Sequence, residues 1–296
     1  MQRKVQVMGI SNYEKKVKKE IIKWQNEKEG VLAKIFNFIT TPIEWTVNKV
    51  VPDAVIKTVN KAVLGFMEML KDVAFWTFSD RDIIKEAQKS GIEITKITEL
   101  EGYNLEKLDK IAHKYFTSNK IIAALEGGGC GLGGFALIAA DIPVLFTINF
   151  RVIQQIGSCY GFDMKDPKIS MVVMGIFGVG STTSAAAKAA ALVDMHITVE
   201  ALAKGWTYKK IAETTQSGTI IKAIKSFSQQ LPKKIANNIT KRKLAQLIPF
   251  FGAVAGAGFN YWFTSNVAKS AYMIFRELYL KRKHDDNFPS SMLPVK

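Results

Sequence analysis

Cysteine is scarce. Cys130 and Cys159 are the only two among 296 residues. Both lie in apolar stretches, and they form no CxxC pair and no disulfide framework. Free cysteines of this kind behave as small hydrophobes and fit a reducing compartment. Histidine is nearly as rare, with three in the chain. His196 and Glu200 are four apart, with Asp194 close by, so they could share a helical face. A tetrahedral metal site needs a further ligand, and nothing nominates one. No metal and no cofactor is expected. Acidic residues are outnumbered, 26 against 41 basic ones, for a formal charge of +15. Such an excess points to an anionic partner, either a membrane surface or a nucleic acid. Zinc-finger spacing, an RNP motif and a convincing helix-turn-helix are all missing, which disfavours nucleic acid. The opening "MQRKVQVMGISNYEKK" has no apolar run of signal-peptide length, so secretion by that route is not expected. Catalytic signatures are missing too. "GCGLGG" is no nucleophile elbow, and Cys130 has neither a histidine nor a base nearby in sequence.

What the chain has in quantity is helical periodicity. Apolar residues make up 48 % of it, far from a disordered composition. "YEKKVKKEIIKW" places Tyr13, Val17, Ile21 and Trp24 on one face of a helix, with lysines on the others. Pro42, Pro52 and Pro232 mark places where helices restart, because proline is tolerated in a first turn. Asp80 is positioned to cap "DRDIIKEAQKSG", and Gly91 to end it in the left-handed conformation. The period resumes through Leu105, Leu108, Ile111 and Ala112. No fixed-period repeat, low-complexity tract or long linker divides the chain. The expected architecture is all-α, a single compact helical domain over 1–296, with loose tails at 1–12 and 284–296.

The stretch "EGGGCGLGGFALIAADIPVLFTINFR", residues 126–151, supports three readings. Gly129, Gly131 and Gly134 fit GxGxxG, but that fingerprint works only between a strand and a helix. The preceding "SNKIIAALE" reads as helix. A membrane span is opposed by Asp141 and Arg151, each costing about 2.5–3.5 kcal/mol near a bilayer centre. Asp141 and Pro143 favour a turn between two short helices. The third reading is close packing. Gly127 and Gly131, then Gly129 and Gly133, are four apart and would let a neighbouring helix approach closely. Gly252 and Gly256 repeat the device, and "GIFGVGSTTSAAAKAAA" carries it more loosely.

"LEGGGCGLGGFALIAADIPVLFTINFRVIQQIGSCYGFDMKDP" resembles the signature region of the EcsC family. So does the closing "KRKLAQLIPFFGAVAGAGFNYWFTSNVAKSAYMIFRELYLKRK". The early "YEKKVKKEIIKW", "PIEWTVNKVVPDAV" and "FWT" fit the same pattern, so the likeness covers nearly the whole chain. The family is named for the third product of a bacterial operon whose other products are the ATPase and membrane subunits of an ABC transporter. The resemblance therefore implies a context and no reaction, and it leaves an ABC transporter subunit as a possible partner. Matched positions include Glu126, Asp141, Pro143, Arg151, Tyr160 and Gly161.

Two candidate sites follow from the residues. Glu126, Asp141, Arg151, Gln154 and Gln155 sit in or beside the glycine hairpin. Arg151 is expected to pair with Glu126 or Asp141 there, and to stand at the polar end of an apolar ligand site. Residues 204–243 hold ten basic residues against Glu213 alone, a local net of +9. Lys209, Lys210, Lys222, Lys225, Lys233, Lys234, Lys241, Arg242 and Lys243 would face anionic membrane lipid. The expectation is a protein peripheral to the cytoplasmic face of the inner membrane. It would bind lipid or assist a transporter, with an enzyme as the third option.

Overall fold

The computed structural model describes residues 9–27, 52–69, 79–130, 134–166, 169–182, 184–203, 229–236, 239–240 and 252–284. Among the described residues no strand occurs. The α-helices are α1 (Asn12–Gln25), α2 (Asp53–Met69), α3 (Asp80–Lys89), α4 (Leu105–Cys130), α5 (Gly134–Cys159), α6 (Ile169–Gly180), α7 (Ala185–Ala203) and α8 (Gly252–His284). A 3₁₀ turn runs over Ile97–Gly102, and residues 229–236 are helical as well. The all-α expectation holds.

Local chemistry sets several of these ends. Ser11 opens α1 with a capping box. Its Oγ accepts from the Glu14 amide at 3.2 Å, while the Ser11 amide donates to Glu14 Oε2 at 2.8 Å, so two orphan donors are satisfied together. The core face of α1 is Val17, Ile21 and Trp24, all buried. Ser79, rather than Asp80, caps α3, through a hydrogen bond from the Arg81 amide. Asp80 instead places its charge in the first turn, where it complements the helix dipole. Gly91 (φ +72°) ends that helix as anticipated. Pro52 immediately precedes α2. Pro232 lies within helical residues 229–236, and Pro42 lies outside the described residues.

Helices α4 and α5 are antiparallel, since Asp109 near the start of α4 meets Tyr160 just beyond the end of α5. The 33-residue α8 spans about 50 Å at 1.5 Å per residue, and it packs on α4, α5, α6 and α1. It runs parallel to α5: Asp141 meets Asn260, Asn149 meets Thr264, and Gly157 meets Phe275 in register. One apolar core takes residues from every described α-helix. Around Phe177 it is aromatic, with Phe146, Phe150 and Phe263 at centroid distances of 5.2–5.8 Å.

The expected turn at Asp141–Pro143 is not there. Pro143 stands inside a continuous α5. Proline in a helix interior costs about 3 kcal/mol. Here the surrounding helices α2, α4 and α8 hold the segment, burying Ile142, Leu145 and Phe146 completely. Asp141 is 1 % exposed and accepts from Asn260. Packing outweighs the missing hydrogen bond.

Close helix contact does use glycine, at positions other than those with the densest spacing. A Cβ on Gly180 would lie 2.6 Å from Val267 Cγ2 and 2.7 Å from Val267 Cα. A Cβ on Gly157 would lie 2.6 Å from the Phe275 ring. Gly127 and Gly129 are in the last turn of α4, and Gly252 and Gly256 in the first turns of α8. What those four pack against, and Gly131 and Gly133 altogether, lie outside the described residues. No helix among the described residues is long and apolar enough to cross a membrane.

Gly180→Ala should lower stability by about 1–3 kcal/mol, because the clash reaches backbone and cannot relax by a rotamer change. Gly258→Ala, on α8 with nothing within 4 Å of the added methyl, should gain up to about 1 kcal/mol from helix propensity alone. Urea unfolding of the two variants measures the contrast. Equal midpoints would show that α6 does not approach α8 this closely.

Candidate functional site

Among the described residues the buried charge with the most partners is Asp109, on the apolar face of α4 and 3 % exposed. Its Oδ1 accepts from Tyr160 at 2.7 Å, and its Oδ2 accepts from Tyr13 at 2.7 Å. Arg276 Nη2 lies 2.9 Å from Oδ2. The other end of the Arg276 guanidinium reaches Glu20 at 3.0 Å, and its plane lies 4.6 Å over the Tyr272 ring. Residues of α1, α4 and α8, with Tyr160 after α5, therefore converge on one carboxylate. Burial pushes the Asp109 carboxyl above its usual value, against the pull of Arg276 and the two hydroxyls. Burial likewise raises Tyr160 and Tyr13, and takes Tyr272 up to about 12. Burial opposes the charge on Arg276, but Asp109 together with Tyr272, Tyr160 and Glu20 outweighs it and holds the guanidinium above its ordinary value. The tyrosines stay protonated as donors. This arrangement is a clamp, with no activated nucleophile in it.

A second cluster fixes the start of α1. Glu14 is 3 % exposed and pairs with Lys283 at 2.9 Å and His284 at 3.3 Å. Burial alone would raise its carboxyl, but the Lys283 hydrogen bond and the Ser11 cap bring it down to about 2. At the other end of α1, Lys188 of α7 donates to the Trp24 carbonyl and sits 4.4 Å over the Trp24 ring.

These contacts sort the charges of α1. Both its acids, Glu14 and Glu20, turn toward α8. Lys15, Lys16, Lys18, Lys19 and Lys23 are exposed. Among them stands Ile22, 57 % exposed. Beside it a groove of about 330 Å³ runs between α1 and the end of α8, floored by Ile21 and Leu280 and walled by Lys18, Lys281 and His284. A second cleft of about 330 Å³ lies between α6, α7 and helical residues 229–236. Small side chains such as Gly178, Ala187 and Ala190 make that room, and the Lys234–Asp194 pair at 3.1 Å lies at its edge.

The residues singled out from sequence are only partly brought together. Asp141 is buried against Asn260, and Gln154 and Gln155 are buried on α5. Arg151 is exposed and makes no ion pair among the described residues, so it does not stand inside the hairpin. The register of α5 explains this: Val152 and Ile153 take the core positions beside it. Glu126 is helical in α4, and its side chain lies outside the described residues. Lys209, Lys210, Lys222, Lys225, Lys241, Arg242 and Lys243 also lie outside them, while Lys233 is exposed and Lys234 pairs with Asp194. His196 Nδ1 is 2.9 Å from the Leu192 carbonyl, and Asp194 is engaged by Lys234. Among the described residues no three of His, Cys, Asp and Glu gather to hold a metal ion. Cys159 is fully buried, and burial pushes its thiol up. The GxGxxG reading fails, because helix α4 runs through Gly127–Cys130 where a strand would be required.

Known proteins share this sequence pattern. The EcsC protein family model matches residues 15–280. The chain belongs to the EcsC family. Protein EcsC of Bacillus subtilis (strain 168) is 24 % identical over 206 residues, covering 69 % of this chain and 78 % of that protein. The uncharacterized protein YdbA of the same strain is 21 % identical over 261 residues, covering 88 % of this chain and 90 % of that one. No solved structure matches significantly. The EcsC match runs from Lys15 to Leu280 and so takes in Asp109, Glu20, Tyr160 and Arg276 of the clamp, Tyr13 falling just before it, along with most of the groove.

Asp109→Asn should destabilise this EcsC protein by about 3–5 kcal/mol, the usual effect of leaving a buried charge without its partner. The double variant Asp109→Leu/Arg276→Met should lose less than the two single changes added, and a double-mutant cycle in urea measures the difference. Glu14 provides a pH test. Its folded carboxyl titrates near 2 against an ordinary 4.5, so its stabilising share is fully present above 4.5 and is lost as pH falls toward 2. The stability gap between the natural protein and Glu14→Gln should close across that window. A gap independent of pH would show that Glu14 is not held as a carboxylate.

Proposed function

We propose that this EcsC protein attaches to the surface of an anionic membrane through the face made by α1 and the end of α8. The observation that carries the reading is the sorting of charge on α1: both acids are drawn inward, and five lysines are left outside around an exposed isoleucine. Each basic residue near an anionic leaflet contributes about 1 kcal/mol of attraction. An exposed apolar side chain in that field can enter the interfacial layer. Nucleic acid would attract the lysines equally well, but it makes no use of Ile22 or of the apolar groove beside it. The basic stretch 204–243 would add to the attraction. On this reading the protein is peripheral to the cytoplasmic membrane face and works there on lipid. Its place beside an ABC transporter subunit is the alternative suggested by the family's operon context.

Flotation with vesicles tests it. The protein should bind vesicles rich in phosphatidylglycerol and ignore pure phosphatidylcholine. Binding should weaken as salt shortens the Debye length from about 10 Å at 0.1 M toward 3 Å at 1 M. Lys15→Glu/Lys19→Glu/Lys23→Glu should abolish binding while leaving the helical circular dichroism unchanged. Equal binding to neutral vesicles, or binding by the triple variant, would refute the proposed face.

A further inference from the structure

The face proposed above contains a shaped site as well as a field of charge. We infer that the groove between α1 and α8 binds a single anionic amphiphile, its chain along Ile21, Ile22 and Leu280 and its phosphate or carboxylate head beside Lys18 and Lys281. This deepens the membrane-surface reading and rests on it.

Three observations support the site. Its volume of about 330 Å³ falls at the lower end of the range typical of small-molecule pockets. That suits one short chain or the first part of a longer one, and it is too small for a partner helix. Its floor is apolar: Ile21 and Leu280 are buried, while Ile22 projects at the rim. Its charge favours an anion. Glu277, the one acid among the described residues that line the groove, already pairs with Lys281 at 2.8 Å and accepts from Gln25 at 3.0 Å, so Lys281 offsets its charge. Lys18 has no such partner and makes no ion pair among the described residues. A neutral ligand would leave that ammonium unused, and a cation would be repelled by it. A free anion would leave the apolar floor unused. An anionic headgroup joined to a chain answers both features.

The same clamp that orients α1 keeps the groove open. Arg276 sits one residue before Glu277 and binds Glu20, while Lys283 binds Glu14. The two walls are thus tied above and below the groove, so the site exists before any ligand arrives. Preformed sites lose less ordering entropy on binding.

The test uses the full chain and monomeric probes below their micelle concentration. Dihexanoyl phosphatidic acid should bind saturably at one per chain by isothermal titration. Dihexanoyl phosphatidylcholine should bind about tenfold more weakly or worse, and inorganic phosphate should not register. Lys18→Gln and Ile22→Asp are both changes at exposed positions, so their melting temperatures should match the natural protein. Each should weaken phosphatidic acid binding about tenfold. Lys234→Gln, at the α6–α7 cleft, should leave it unchanged. Unaltered affinity in both groove variants, or loss in Lys234→Gln alone, would overturn the assignment. Inorganic phosphate binding as tightly as the amphiphile would reduce the site to a free-anion site and overturn it as well. If vesicles bind but the monomeric amphiphile does not, the groove inference falls and the charged face stands. If neither binds, both fall.

Discussion

A carboxylate that is only 3 % exposed stays charged only where donors surround it, and the partners of Asp109 come from three parts of the chain. Tyr13 arrives from α1, Tyr160 from the turn after α5, and Arg276 from α8. None of these can move far without leaving a buried charge exposed to the apolar core. The rest of the arrangement depends on this constraint. It sets how far along α4 the end of α8 lies, and it draws α1, a short amphipathic helix, onto the bundle by its polar side as well as by its apolar one. Replacing such a network with apolar residues is often neutral for stability. Its contribution here is register, since only one placement of α1 satisfies Asp109 and Glu20 together.

Much of the fold was legible, and for one reason. Periodicity of 3.6 depends only on which face is buried, so α1 and the start of α4 could be read from Val17, Ile21, Trp24, Leu105 and Leu108. Proline 143 misled because local propensity favours a break there. The burial of Ile142, Leu145 and Phe146 is a tertiary effect that no short window contains. The glycine argument applies in the looser of the runs it named, while what the denser ones pack against lies outside the described residues. Gly178 and Gly180 lie in the looser "GIFGVG" run, and it is there that Leu231 and Val267 come within 2.6–2.7 Å of an added Cβ.

The site was less legible. Arg151 drew attention because it follows an apolar run, yet one step of 100° in helix phase places it outside, with Val152 and Ile153 inside. The signal for the Asp109 cluster was present in plainer form. Asp109 falls in the apolar stripe Leu105, Leu108 and Ala112, and Arg276 falls in the stripe Tyr272, Phe275 and Tyr279. A charge on the core side of an amphipathic helix predicts a buried partner, and two such misfits of opposite sign predict each other. "SNYE" likewise carries the S-x-x-E capping signature. Which face those charges would leave uncovered could not be seen until α1 and α8 were side by side.

That uncovered face ties stability to the proposed function through the sorting of charge. A lysine-rich helix of 14 residues is self-repelling and too short to persist alone in water. If its acids had paired locally with its own lysines, the helix would gain a few tenths of a kcal/mol per pair, and its outer surface would be nearly neutral. Instead, the pairing of Glu20 with its own Lys16 is long, at 4.0 Å, while its contact with Arg276 is 3.0 Å. Glu14 divides between its own Ser11 cap and Lys283 of α8. Spending both acids on the bundle anchors α1, leaves Lys15, Lys18, Lys19 and Lys23 without ion pairs among the described residues, and opens the groove against Leu280. The same two carboxylates therefore decide where the first helix docks and what charge it shows to its surroundings.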